Sequence, residues 1–150
     1  MILALLLAQT LGPCTPDAAL PPPLSGWNDR GAALDGGKAV TMAAVDPASV
    51  RLVGVPRPKQ AGRVFGMRFT VRRAGTYGLA LDQKGWIDLY TAPPLGRPSD
   101  GALVSTAHEH GPRCSTIRKI VRFRLQPGAY QLVVSGLERP LAKIMLVTDA

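Results

Sequence analysis

A chain of 150 residues with 46% hydrophobic and 19% charged residues is globular rather than disordered, and its length allows one domain. Its 16 glycines and 14 prolines suit short strands joined by tight turns. The net charge is +8, with arginine far outnumbering lysine, which indicates either an anionic partner or the composition of a high-GC genome. Aromatic residues make up only 5% and none interleave with the basic run, so nucleic-acid binding by base stacking is not expected.

The N-terminus begins with an unbroken apolar run over residues 2–8, which ends in small and polar residues and is followed by Pro13. The run is typical of a secretion signal and too short to span a bilayer. We predict a signal peptide over residues 1–13 and a mature protein that is periplasmic or secreted, without a transmembrane segment. A buried first strand is the alternative interpretation.

Cys14 and Cys114 are the only two cysteines. In an oxidising compartment they are expected to form a disulfide. The alternative for Cys14 is lipid anchoring, because Leu11-Gly12-Pro13-Cys14 has the outline of a lipobox, although Pro13 fits that motif poorly. Two free thiols are the third possibility.

The next part of the chain, residues 14–38, is a Pro/Gly-rich entry segment in which Trp27 is the one large anchor, expected to plug an end of the fold. Residues 39–150 form the predicted domain, where short strand-like runs alternate with turn signals. The runs are 39–45, 50–55, 63–71, 77–82, 86–90, 102–108, 117–125, 130–135 and 143–148.

The run over residues 63–71 alternates most regularly, with Phe65, Phe69 and Val71 on one face and polar residues on the other. Such alternation is typical of antiparallel sheets that pack on one side. The predicted fold class is therefore all-β: an antiparallel β-sandwich or jelly roll of about eight strands.

Two similar stretches lie 53–54 residues apart, and we call this similarity the internal echo. Each stretch is a strand, a Gly turn and a second strand that starts with a tyrosine, Tyr77 in one and Tyr130 in the other. Each tyrosine is expected to pack its ring inward and to bond its hydroxyl to nearby backbone. A two-copy echo fits paired hairpins of a Greek-key sandwich.

Together the two stretches give the pattern F-x-V-x3-G-T-Y-x-L-x-L, then D-L-Y, then F-x-L-x-P-G-x-Y-x-L-x-V. The pattern resembles the bacterial pre-peptidase C-terminal domain, a secreted jelly-roll-like sandwich, over about residues 63–147. The matching residues are Phe69, Val71, Gly75, Tyr77, Asp88, Leu89, Tyr90, Phe123, Gly128 and Tyr130. The resemblance implies fold and export. The calcium that such modules often bind is not expected here, because Trp86 and Ile87 stand where a second aspartate would be needed.

The stretch from Ser105 to Lys119 has the core pattern S-T-A-H-x-H-G-P-x-C-x-x-I-R-K. Through this core the whole chain resembles small exported proteobacterial proteins, some of which are named homogentisate dioxygenase. Such enzymes are several times longer and hold iron with two histidines and a glutamate. This chain contains two histidines in all, which argues against that label.

The densest cluster of metal-ligating residue types is His108-Glu109-His110, with Cys114 nearby. On a strand the two histidines share one face, where they could hold Cu, Zn or Fe. Glu109 points away on a regular strand, so a two-His-one-carboxylate set is awkward. The favoured interpretation is a structural loop that Cys114 holds in place, with no cofactor expected.

The basic residues form a second candidate site, an anionic-partner surface. If the two echo strands share a sheet, their outward cations form one positive face; the alternative is a solvated face that discourages edge pairing. The six residues are Arg68, Arg72, Arg118, Lys119, Arg122 and Arg124.

Trp86, Asp88 and Tyr90 share a strand face that could grip a sugar ring, although we expect Trp86 to cover an end of the sandwich. No nucleophile elbow, P-loop, zinc-protease or dinucleotide motif is present. The sequence therefore predicts an exported, non-catalytic β-sandwich that binds or supports an unknown envelope partner. The alternative is a small metal-binding protein or metal-dependent oxygenase.

Overall fold

The computed structural model describes residues 12–94 and 96–148. A 3₁₀ helix over Pro22–Asn28 precedes the first strand, and a short 3₁₀ turn lies at Pro47–Ser49. The strands in the described residues are β1 (Val40–Ala43), β2 (Arg63–Val71), β3 (Gly75–Leu81), β4 (Trp86–Thr91), β5 (Ala107–His110), β6 (Lys119–Leu125), β7 (Gly128–Leu137) and β8 (Leu141–Thr148).

These strands form two antiparallel sheets, one in the order β1-β8-β3-β6-β5 and the other in the order β2-β7-β4. The alternation of apolar residues explains the packing, because Phe65 and Phe69 of β2 and Val121 and Phe123 of β6 enter one shared core. The core contains buried residues from both sheets, so the predicted all-β antiparallel sandwich is confirmed.

The internal echo corresponds to a pseudo-two-fold arrangement of strand pairs. Phe69 pairs with Tyr130 between β2 and β7, and Phe123 pairs with Tyr77 between β6 and β3. Each half of the echo crosses from one sheet to the other at its Gly turn, since β2 leads into β3 and β6 leads into β7. The paired-hairpin prediction is therefore wrong: β2 does not pair with β3, nor β6 with β7, and each strand of one copy pairs with a strand of the other copy.

Both echo tyrosines bond to backbone four residues earlier. The Tyr77 hydroxyl donates to the Arg73 carbonyl at 2.7 Å, and the Tyr130 hydroxyl donates to the Gln126 carbonyl at 2.6 Å. Tyr130 is 4% exposed, whereas Tyr77 is half-buried because its ring borders an open groove. The expected hydroxyl bonds are confirmed at both sites, and both rings contact the main core, although Tyr77 is less buried than Tyr130.

The outer face of the five-stranded sheet is covered by the 3₁₀ helix. Trp27 is fully buried there, against Ile120 and Met145, and its indole nitrogen donates to the Thr116 hydroxyl at 2.9 Å. The Lys143 ammonium lies 4.6 Å from the Trp27 ring centroid. The expectation that Trp27 plugs an end of the sandwich is wrong, because the sheet presents an apolar outer face on which the indole packs.

The run over residues 50–55 is not a strand, so that prediction is wrong. The segment crosses the outer face of the three-stranded sheet, where Val50, Leu52 and Val55 pack against Val64 and Tyr90. Its apolar residues therefore cover a sheet instead of joining one. Prolines before and after the run lack the amide donors that a ladder needs.

The run predicted over residues 102–108 pairs with β6 only from Ala107. The loop before it returns along β4, where the Leu103 amide donates to the Leu89 carbonyl at 2.7 Å. Because a Pro/Gly-rich stretch precedes this run, its first half follows β4 as a loop.

The start of the described chain is joined to the loop after β5. The sulfur atoms of Cys14 and Cys114 lie at bonding distance, with their Cα atoms 5.9 Å apart, as the sequence predicts. Beside them the Asp17 carboxylate accepts from the amide and hydroxyl of Thr116 at 2.7 and 2.5 Å. Most of the predicted signal peptide, residues 1–11, lies outside the described residues, and the predicted domain limits stay predictions.

Candidate functional site: a cleft between two sheet edges

A cleft of about 510 Å³ opens where the edges of the two sheets meet. β5 is the last strand of the five-stranded sheet and β4 the last strand of the three-stranded sheet, so among the described residues neither has a strand neighbour on that side. The cleft is lined by Lys84, Gly85, Trp86, Ile87, His108, Glu109, His110, Arg118 and Lys119.

Both histidines point toward the interior side of their sheet. In the β5–β6 ladder His108 is opposite Val121, a core residue, and His110 is opposite Lys119. Since opposite residues share a face, both imidazoles lie at the mouth of the sandwich, as strand alternation predicts. His108 Nε2 lies 3.0 Å from the Ser105 hydroxyl.

Glu109 lies on the other face of β5, opposite Ile120, which packs under the 3₁₀ helix. Its carboxylate forms an ion pair with the Arg122 guanidinium. The hydrogen bond from Arg122 lowers the pKa of the Glu109 carboxyl, so the carboxylate stays ionised and paired with Arg122. The third residue of the predicted metal set is therefore directed away from the two imidazoles.

A metal centre needs several ligands that converge on one point. In the part of the chain that the structure describes, no three His, Cys, Asp or Glu side chains lie close enough to share an ion. The two histidines share a face, Glu109 does not, and the Cys114 sulfur is engaged with Cys14. Cu, Zn or Fe binding here stays a prediction for a two-histidine site.

Trp86 is 59% exposed at the cleft. The expectation that it covers an end of the sandwich is wrong, because the strand opposite it contributes Ser135 and the bare backbone of Gly136. Along the same outward face Asp88 is half-buried and Tyr90 is buried. Of the two aromatic side chains in the predicted row, only that of Trp86 is therefore accessible to a ligand.

Three cations line the same cleft as the indole and the imidazoles: Lys84, Arg118 and Lys119. The Lys119 ammonium donates to the Gly85 carbonyl at 2.8 Å and closes the cleft toward the turn before β4. Burial lowers the pKa of Lys119. Lys84 and Arg118 are exposed at the rim. The cleft thus offers an aromatic plate, two imidazoles and a cationic rim, which together suit a negatively charged ligand that carries a ring.

The six basic residues predicted as one surface fall into two groups. Arg68 lies in β2 and Arg72 follows it, whereas Arg122 and Arg124 lie in β6, so the two echo strands are in different sheets. The condition for a single positive face is therefore not met. The prediction grouped these residues because the two stretches have similar sequences. In the structure the corresponding strands β2 and β6 lie in different sheets.

Sequence reasoning did not assign Lys84 or Gly85 to the site. Both lie in the turn between β3 and β4 and reach the cleft only because β4 and β5 are edge strands. The sequence marks Lys84-Gly85 as a turn, but it does not show that this turn lies at the cleft. That placement depends on the order of strands in each sheet, which no local pattern encodes.

A scan against models of protein families finds no match to this chain, and a search of curated proteins finds no relative. In residues 12–94 and 96–148 there is no helix with the length and apolar character that crossing a membrane would require.

Proposed function

We propose that this chain is an exported, non-catalytic β-sandwich that binds an acidic polysaccharide of the cell envelope in the cleft between β4 and β5. The observation that carries the proposal is the exposed Trp86 indole beside the cations of the same cleft. An indole face packs well against one face of a sugar ring, because the axial C–H groups on that face form an apolar patch that can contact a flat aromatic surface. The cations then select sugars that carry a carboxylate.

Export is supported by two features. The apolar run at residues 2–8 is typical of a secretion signal. The Cys14–Cys114 pair lies at bonding distance, and such bonds persist mainly in oxidising compartments. A Cys14 that is bonded to Cys114 has no thiol for lipid attachment, so the proposal favours a free periplasmic or secreted protein. The resemblance to the pre-peptidase C-terminal domain agrees with this compartment.

The size and openness of the cleft agree with a polymer. A volume of about 510 Å³ accommodates a ligand the size of one or two sugar rings. Because the cleft is open to solvent, a longer sugar chain can extend beyond it on the side away from Lys119 and Gly85. His108 and His110 offer imidazole nitrogens to sugar hydroxyls along one wall.

The affinity for an oligosaccharide of uronic acids, measured by calorimetric titration, tests the proposal. Trp86→Ala and the pair Lys84→Glu with Arg118→Glu should each weaken binding about tenfold or more, because they remove the stacking plate and the rim charges. Lys59→Glu with Arg97→Glu, an equal charge change at exposed sites outside the cleft, should leave the affinity within about twofold. Equal binding of a neutral oligosaccharide of the same length would contradict the proposal.

A further inference from the structure

The free edge of β2 carries a second surface, separate from the cleft. β2 is the first strand of the three-stranded sheet, and within residues 12–94 and 96–148 its one ladder partner is β7. At its start the Val64 amide and carbonyl bond to Val45, an isolated bridge that closes the edge there. Beyond Val64 the edge continues for several residues.

The backbone groups on that edge alternate in a defined phase. In an antiparallel ladder, alternate residues direct both amide and carbonyl toward the partner and the others direct both away. Val64 bonds away from β7, and the Ala129 carbonyl, opposite Thr70, is taken by Ala92 on the β4 side. Both observations place the amides and carbonyls of Gly66, Arg68 and Thr70 on the open edge.

No protein group occupies these positions in the described residues: neither the loops nor any side chain donates to or accepts from the backbone of Gly66, Arg68 or Thr70. Beside the strand lies a groove of about 610 Å³, with Leu34 and Leu146 among its apolar walls. A row of unsatisfied backbone groups next to an open groove is the template that an added strand requires.

Three arginines line the same groove: Arg68, Arg72 and Arg73. Arg68 bonds to the Gln131 side chain, and in the described part of the chain neither Arg72 nor Arg73 has a carboxylate within ion-pair distance. Asp35 is the one acidic residue in the groove wall. The groove therefore repels a second copy of this basic chain and attracts an extended segment that carries acidic side chains.

We propose that the β2 edge binds an extended acidic segment of a partner protein by strand addition, with the carboxylates of that segment on Arg68, Arg72 and Arg73. Main-chain bonds to Gly66, Arg68 and Thr70 supply the register, and the arginines supply the selectivity. The proposal does not depend on the polysaccharide cleft, which lies at the other edge of the same sheet.

The probe for the test is a short synthetic peptide in which glutamate and valine alternate, with binding measured by fluorescence anisotropy. Arg72→Glu with Arg73→Glu should weaken binding by about tenfold or more, because two charge-assisted contacts are lost. The matched control is Arg97→Glu with Arg113→Glu, which makes the same charge change at exposed sites outside the groove and should leave binding within about twofold. A comparable loss in both variants would overturn the proposal.

Amide hydrogen exchange distinguishes strand addition from charge attraction alone. With the peptide bound, exchange should slow at Gly66, Arg68 and Thr70 while the amides that already face β7 stay unchanged. A peptide methylated at alternate backbone nitrogens keeps its charges and should lose binding. Unchanged exchange at the three amides, equal binding of the methylated peptide, or self-association of the protein through this edge would each overturn the proposal.

Discussion

Asp88 lies half-buried on the outward face of β4, between Trp86 and Tyr90. Burial raises the pKa of the Asp88 carboxyl above its ordinary value of 3.8. The same burial raises the pKa of Tyr90, and the charge of Asp88 adds to that effect. The ionised carboxylate is therefore less favourable in the folded protein than in the unfolded chain, so the charge of Asp88 lowers the free energy of unfolding.

We predict that Asp88→Asn raises the melting temperature at neutral pH. A carboxyl with a raised pKa binds more protons when folded, so its contribution to stability falls as the pH rises through the interval above 3.8. The advantage of asparagine should be fully present above the folded-state pKa and should vanish below the unfolded value. Melting curves of both proteins from acidic to neutral pH measure this. A constant difference across that range would contradict the assignment.

The two Gly-Tyr turns carry the chain from one sheet to the other, and each is fixed by one hydroxyl. In the second turn the Tyr130 hydroxyl also accepts from the Gln126 amide at 3.0 Å, so the group satisfies two backbone atoms. In the first turn the Tyr77 hydroxyl makes one bond on an exposed side of the molecule. The tyrosine hydroxyl is therefore expected to contribute more to stability in the second copy of the echo than in the first.

We predict that Tyr130→Phe lowers the free energy of unfolding by about 1–3 kcal/mol, because it leaves partly buried backbone groups without a partner. Tyr77→Phe should cost less than about 1 kcal/mol, since water can replace its hydroxyl. Urea denaturation of the two variants is the measurement, and each serves as the control for the other. Equal losses would mean that the difference in burial has no energetic consequence.

The strands with strict alternation were predictable from the sequence. β2 has the predicted limits, and β4 and β7 differ by one or a few residues at their ends, because each keeps one face in the core. Residues 50–55 have similar composition but cover a sheet from outside, and a local pattern does not distinguish covering a sheet from joining one.

The candidate cleft could be predicted only in part. The shared face of His108 and His110 follows from strand alternation and was expected. Their meeting with Trp86 depends on β4 and β5 both being edge strands at the same side of the sandwich. That order is set by long-range pairing across the whole domain, which no pattern in a short window encodes.

The segment from Cys14 to the 3₁₀ helix is attached to the sandwich by contacts of three kinds, covalent, polar and apolar. These are the Cys14–Cys114 pair, the contact of Asp17 with Thr116, and the buried Trp27. The segment covers the outer face of the five-stranded sheet without entering the core between the sheets.

We predict that the double change Cys14→Ser and Cys114→Ser lowers the free energy of unfolding by about 2–5 kcal/mol, because the bond closes a long loop in the unfolded chain. The sheets should keep their structure, since neither cysteine belongs to the core. Urea denaturation with and without reductant is the measurement. Reductant should destabilise the original protein to the level of the double variant and leave that variant unchanged, and an insensitive original protein would contradict the prediction.

A nuclear magnetic resonance titration that follows the two indole N–H signals can show whether the cleft between β4 and β5 binds an acidic polysaccharide. Trp86 is exposed at the cleft and Trp27 is fully buried on the outer face of the other sheet, so the chain contains its own control. On addition of an oligosaccharide of uronic acids, we expect the Trp86 signal to shift to saturation while the Trp27 signal stays in place. A Trp86 signal that does not move, or that moves equally with the neutral oligosaccharide, would contradict the claim.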